Sequence, residues 1–275
     1  MVDSDGGDAV VGVVVLGEVG GRNKKMKKIK LHISYDGTDF SGFQRQPGQR
    51  TIQAELENAL TALMREKIEI HGSGRTDAGV HAQGQICHFV TSSPIPAEKI
   101  AYILRNMLPR DIVAVSSEEV PSDFHARKSA HWKTYRYQID TRRAPDVFSR
   151  RYRTHLPHAV DFQAMREAAG YLVGTHDFTS LCSAKTQVED RVRTIYQCKV
   201  IEEAHGYAIE VTGSGFLYNM VRILTGTLVE VGRKQIDPKA IPAILAARDR
   251  TKAGPTFPPE GLVLMEVGYT PWNNM

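Results

Sequence analysis

The segment Gly72-Ser73-Gly74-Arg75-Thr76-Asp77-Ala78-Gly79-Val80-His81-Ala82 gathers residues able to do chemistry within one short stretch. Three glycines allow tight backbone turns and close approach of a bulky ligand. Arg75 and Asp77 stand two residues apart, so in an extended loop both can point to one side. A guanidinium beside a carboxylate keeps it ionised, which is what a nucleophile or a base needs. The same residues also fit a structural loop, with glycines at turns and Arg75 bracing Asp77. The segment lacks the patterns of phosphate-cradling loops: there is no Gly-x-x-x-x-Gly-Lys-Ser/Thr, and no Gly-x-Gly-x-x-Gly opens a helix after a strand.

The elements around this segment must hold it. Ile29 to Ser34 alternates as a strand and leads into Tyr35-Asp36-Gly37-Thr38-Asp39, where Asp-Gly favours a tight turn. Leu56, Leu60 and Leu63 recur at helical spacing after Ile52 and predict a helix of about four turns starting near Thr51. Strand character resumes over Ile68 to His71 and again around Gln85 to Val90. Pro96 can start a helix carrying Ile100, Ile103, Leu104 and Met107 that stops at Pro109, before a strand over Asp111 to Val120. The second half reads similarly. It has a strand over Lys133 to Asp140, a helix over Asp161 to Val173, and a hairpin of Val192 to Glu202 with Tyr207 to Thr212. A helix over Tyr218 to Val231, a helix start at Asp237-Pro238 and a strand over Leu262 to Val267 follow. Strands and helices mix without strict alternation, so the fold class is α+β, in two similar halves. The expected division is 1–25 as an extension, 26–125 as the half carrying the loop, and 126–275 as the second half.

Composition narrows the function classes. At 275 residues the chain can bury a substantial core, and its formal charge of +4 suits a nucleic-acid partner without establishing one. Cys87, Cys182 and Cys198 are widely spaced and form no C-x-x-C pair, which argues against a disulfide framework or structural zinc and for a reducing compartment. The apolar run Ala9 to Leu16 follows acidic residues and is too short to span a bilayer. A cytoplasmic protein is expected, with its first 25 residues, rich in glycine and small side chains, poorly ordered.

The loop resembles the catalytic motif of the TruA family of tRNA pseudouridine synthases, which centres on Gly-Arg-Thr-Asp-x-Gly-Val-His-Ala. The likeness extends along the chain in family order. Ser34 to Gln46 resembles the opening strand and loop. Phe124-His125-Ala126-Arg127 with Lys133-Thr134-Tyr135-Arg136-Tyr137 resembles the central segment. Gly174-Thr175-His176-Asp177-Phe178 and Gly215 to Arg222 resemble the later motifs. The resemblance implies a pseudouridine synthase fold: two halves related to the ferredoxin-like arrangement, joined antiparallel sheets and a central basic cleft. It implies isomerisation of uridine to pseudouridine in the tRNA anticodon arm, at positions 38, 39 and 40, with no cofactor and no metal. It also implies a homodimer in which one tRNA touches both subunits, with no membrane and no obligatory protein partner.

By that resemblance Asp77 is the essential aspartate, attacking the ribose C1′ or removing the C2′ proton. Arg75 opens the base stack and contacts substrate, Tyr135 packs against the target base, and Arg222 pairs with the aspartate and holds it charged. Arg45, Arg75, Tyr135, Arg127 and Arg136 are expected to bind the RNA, with Lys128, Lys133, Arg142 and Arg143 as further cations for its phosphates. Asp177 and Phe178 are expected to be structural, and His81 is not expected to act as a base.

Overall fold

The computed structural model describes residues 26–272, so the expected extension over residues 1–25 lies outside the described residues. The chain order is β1 (Lys27–Tyr35), α1 (Ile52–Met64), β2 (His71–Gly72), β3 (His81–Thr91), α2 (Ala97–Leu104), β4 (Ile112–Val120), β5 (Trp132–Asp140) and β6 (Thr154–His155). It continues with α3 (Phe162–Leu172), β7 (Gly174–Asp177), β8 (Val192–Glu203), β9 (Gly206–Gly213), α4 (Met220–Gly232), α5 (Ile241–Ala247) and β10 (Leu262–Gly268).

One ten-stranded, mostly antiparallel sheet runs through the molecule in the order β4-β1-β3-β10-β5-β9-β8-β7, with β2 on β3 and β6 on β5. The expected α+β class stands. The seam differs from a simple antiparallel joint: β10 runs antiparallel to β5 but parallel to β3, pairing Val263 with His81 and Leu264 with Ala82. The last described strand is therefore what couples β3, which follows the loop of residues 72–80, to the second half.

The alternation of β1 explains its burial. Ile29, Leu31 and Ile33 are buried on the face covered by helices, while Lys28, Lys30 and His32 take the other face. In α1, Thr51 caps the first turn by accepting from the Ala54 N–H, and Leu56 and Leu60 are fully buried beneath it. Each such leucine contributes about 2 kcal/mol of burial relative to exposure. In the second half α3, α4 and α5 pack together over β5 and β8, with Phe162 of α3 edge-on to Tyr207 of β9.

Three expectations at element ends are corrected. The helix after Pro96 stops at Leu104, not near Pro109, because Arg105 turns back to donate to the Ala114 and Val115 carbonyls, leaving Met107 exposed. The strand over Ile68 to His71 shrinks to His71–Gly72, since Ile70 N–H donates to the Glu57 carboxylate of α1 rather than to a strand. Asp237-Pro238 starts a single 3₁₀ turn, Pro238–Ala240, before α5 proper begins at Ile241.

Candidate active site

The loop between β2 and β3 is held from several sides. Tyr35 at the end of β1 hydrogen-bonds Thr76 Oγ1 through its hydroxyl at 2.8 Å. Gln85 of β3 accepts from the Ser73 hydroxyl at 2.6 Å and donates to the Gly74 carbonyl at 3.0 Å. Phe43 N–H donates to the Thr76 carbonyl at 3.1 Å. The turn after β1 lies flat against this loop. A Cβ on Gly37 would stand 2.0 Å from the Val80 carbonyl oxygen, and Gly42, at φ +88°, would put one 2.8 Å from that of Thr76. Lys133 of β5 closes the loop from the second half, its Nζ donating to the Ser73 carbonyl at 2.7 Å. Burial, and secondarily the charge of Arg127, push the Lys133 ammonium down to about 8.

These contacts turn Thr76 inward and leave the Asp77 side chain 28% exposed. Asp77 Oδ2 accepts from Arg222 Nη1 at 3.3 Å, a contact spanning 145 residues of sequence. Burial raises the Asp77 carboxyl above its ordinary value, against the lowering pull of the Arg222 charge and hydrogen bond. Arg222 itself is fixed by donating from Nε to the Phe257 carbonyl at 2.6 Å and from Nη1 to Asn219 Oδ1 at 2.9 Å. Asn219 caps α4 in the left-handed region at φ 60°, a conformation that asparagine tolerates.

The bracing of Asp77 by Arg75, read from their spacing, is therefore not what forms. Arg75 is exposed, and no hydrogen bond or ion pair engages its guanidinium among the described residues. The buried Thr76 between them is locked onto Tyr35, Asp77 meets Arg222, and Arg75 stays exposed. Tyr135 sits on the face of β5 shared with Lys133, buried edge-on against Phe216 at 5.1 Å between ring centroids. Burial, then the nearby Tyr35 and Asp77, raise its phenol well above the ordinary value, so it stays neutral.

His81 is a bracket. Its Nδ1 accepts from Gly37 N–H at 3.0 Å and its Nε2 faces the Glu260 carbonyl at 3.2 Å, so the neutral form with hydrogen on Nε2 satisfies both. Burial lowers its pKa, although Asp36 pulls the other way. Asp177 is likewise structural: it accepts from Thr179 N–H at 3.0 Å and pairs with Arg248 at 3.0 Å, beside the fully buried Phe178.

The structure brings Asp77, Tyr135 and Arg222 together and separates the remaining cations into two sets. Arg45 pairs with Glu57 at 2.7 Å. Arg136, adjacent to Tyr135 in the strand and so on the opposite face, pairs with Glu203 at 2.5 Å and Glu210 at 3.5 Å. Arg142 is held by Asp140 and Asp146. Arg75, Arg127, Lys128 and Arg143 are exposed and have no carboxylate partner among the described residues. Spacing missed Asn219, the Phe257 carbonyl and the role of Lys133 under the loop. The signal for Asn219 was present, three residues before Arg222 at the start of a helix. Among the described residues no group of three His, Cys, Asp or Glu is placed to hold a metal ion, and no helix is long and apolar enough to cross a membrane.

The model of a family described as tRNA pseudouridine synthase matches residues 32–127 and 168–270, which include Asp77 and Arg222. The chain belongs to that family. Proteins called tRNA pseudouridine synthase A from Brevibacillus brevis and Bacillus subtilis are 53% and 51% identical over 244 residues, covering 89% and 88% of this chain and 100% and 99% of theirs. One from Bacillus pumilus is 51% identical over 88% of this chain and 99% of its own. Membership makes the chain an isomerase, and the resemblance read from its motifs is borne out.

Proposed function

We propose that this chain converts uridine to pseudouridine in the anticodon arm of tRNA, with Asp77 as the reacting group. The observation that carries it is the Asp77 carboxylate, half-buried beside a neutral phenol and held by one 3.3 Å contact to Arg222. A carboxylate so placed retains free lone pairs for a ligand, whereas a structural aspartate uses them on its own backbone. In the reaction, the Asp77 carboxylate either attacks C1′ or takes the C2′ proton. The N1–C1′ bond breaks with its electrons on the uracil, the base rotates, and C5 bonds to C1′ as the Asp77–C1′ bond breaks or, on the other route, as Asp77 returns the proton to C2′. The C5 proton is then lost and N1 ends protonated. Atoms and oxidation state balance within the nucleotide, so the scheme calls for no cofactor.

Arg222 favours the anionic form of Asp77, and Tyr135 packs against the base as a neutral proton donor. Arg75, exposed at the loop, enters the RNA and helps the target leave its stack, a step costing a few kcal/mol. Arg127, Lys128 and Arg143 meet phosphates. Arg45 and Arg136, each already paired with a carboxylate, contribute less. A cytoplasmic homodimer, with one tRNA contacting both subunits, belongs to the same reading.

The deciding experiment is tritium release from tRNA labelled at uracil C5, comparing the wild type with Asp77→Asn and mapping the modified positions. Release from the anticodon arm that vanishes in the variant is the expected result. No release from unmodified tRNA discards the substrate, and a monomer mass in light scattering with full activity discards the dimer.

A further inference from the structure

Between β5 and β6 the chain makes a loop, residues 141–153, that is tied down at both roots yet apolar at its crown. At one root Arg142 donates to Asp140 at 2.9 and 3.0 Å, to Asp146 at 3.0 Å and to the Ser149 hydroxyl at 3.1 Å. At the other, Arg151 reaches Asp36 at 3.4 Å and Asp39 at 3.5 Å, and the Tyr152 hydroxyl donates to Asp36 at 2.9 Å. The Tyr152 ring lies 5.1 Å from that of His81, so this root rests on the residues that close the catalytic loop. Phe148, at the crown, is nevertheless 91% exposed, and Val147 beside it 59%.

Exposure on that scale is unusual for a phenylalanine, which has no polar edge for water. It does not come from a slack loop, because Phe148 N–H itself donates to Asp146 at 3.1 Å. The flanking Arg143 and Arg150 are exposed and have no carboxylate partner among the described residues. A rigid aromatic face between two uncompensated guanidinium groups matches a ligand with flat rings and repeating negative charge. A second copy meeting this crown across a two-fold axis would bring the same unpaired arginines towards their equivalents, which like charges oppose.

We propose that Phe148 stacks on an unpaired base of the bound RNA while Arg143 and Arg150 meet the neighbouring phosphates. This rests on the tRNA reading above and adds a contact to it. Because the crown hangs from the Asp36–Asp39 turn, RNA seated there is registered against the loop bearing Asp77.

The test is equilibrium binding of an unmodified tRNA transcript to the full chain carrying Asp77→Asn, measured over a series of salt concentrations. Adding Phe148→Ala is expected to weaken binding about tenfold at every salt, with the dependence on log salt unchanged. Phe148→Trp keeps an aromatic face and should bind within about threefold of the parent. Replacing Arg143 and Arg150 with alanine should reduce the salt slope by about 1 to 2. Unchanged binding by Phe148→Ala overturns the proposal, as does equal loss with Trp and Ala. A fall in molecular mass by light scattering on Phe148→Ala also overturns it, since the crown would then be covered by a second copy. If the parent does not bind tRNA at all, the substrate reading itself fails.

Discussion

Two aspartate–arginine pairs in this chain have opposite characters. Asp140 and Arg142 meet through two hydrogen bonds of 2.9 and 3.0 Å, and Asp140 also accepts from the Arg142 backbone N–H at 3.0 Å. The guanidinium holds the Asp140 carboxyl down to about 2. Asp77 and Arg222 share one contact of 3.3 Å, and there burial outweighs the arginine and raises the carboxyl. Fully bonded, an aspartate is a piece of scaffold. Left with one long contact in a partly buried setting, its anion is less stabilised and keeps lone pairs free for a ligand.

The largest expected effect breaks the second pair. Asp77→Asn should lower activity by on the order of a thousandfold or more, since it removes the proposed reacting group. Its melting temperature should stay level or rise. A carboxyl raised in the folded state opposes folding once pH has climbed through its raised value, and the penalty is absent below the ordinary carboxylate range. A clear drop in melting temperature would show Asp77 to be structural, like Asp140.

Next in size is Arg222→Lys, which keeps the charge but loses the planar fork that also holds Asn219 and Phe257. A rate loss of about 10- to 100-fold is expected. With the lowering pull on Asp77 weakened, the acid limb of kcat/KM should move to higher pH. A pH profile with no such shift separates Arg222 from the ionisation of Asp77.

Asp140→Asn probes the opposite case. It should cost about 1–2 kcal/mol of stability in denaturant titration while leaving the turnover rate close to wild type. Asp140 is depressed in the fold, so its contribution is present above the ordinary carboxylate range and lost as pH falls towards about 2. A large rate loss without destabilisation would contradict the comparison.

The smallest effect concerns Lys133. The protonated ammonium is the form that donates to the Ser73 carbonyl with a positive charge, and that charge is lost as pH rises through about 8. Activity should decline along an alkaline limb near that pH, and Lys133→Arg should push the limb upward. A limb that does not move assigns the titration to another group.

What could be read from the residues follows the range of the interactions. The Thr51 cap, the leucine spacing of α1 and the β1 alternation are local, and each was legible without a partner. The composition of the loop of residues 72–82 was legible too, and Arg222 could be singled out by family motif. Which arginine Asp77 would meet was not legible from spacing, because the choice is made by Thr76 turning in to Tyr35 and by a helix 145 residues away. Arg45, Arg127 and Arg136 look alike in sequence, and only the placement of Glu57, Glu203 and Glu210 tells the paired from the free. The strands β6 and β7, two and four residues long, are too short for alternation to register.

The position of β10 bears on how the enzyme is made. Its seven residues lie at the middle of the sheet, between β3 and β5, although they follow every other strand in the chain. While the chain is being synthesised, β3 and β5 therefore each present an unpaired edge until Leu262–Gly268 clears the ribosome. A chain stopped before β10 would leave two half-sheets with no strand to join them. One short strand, made after its two neighbours, is thus what turns two half-sheets into a single sheet.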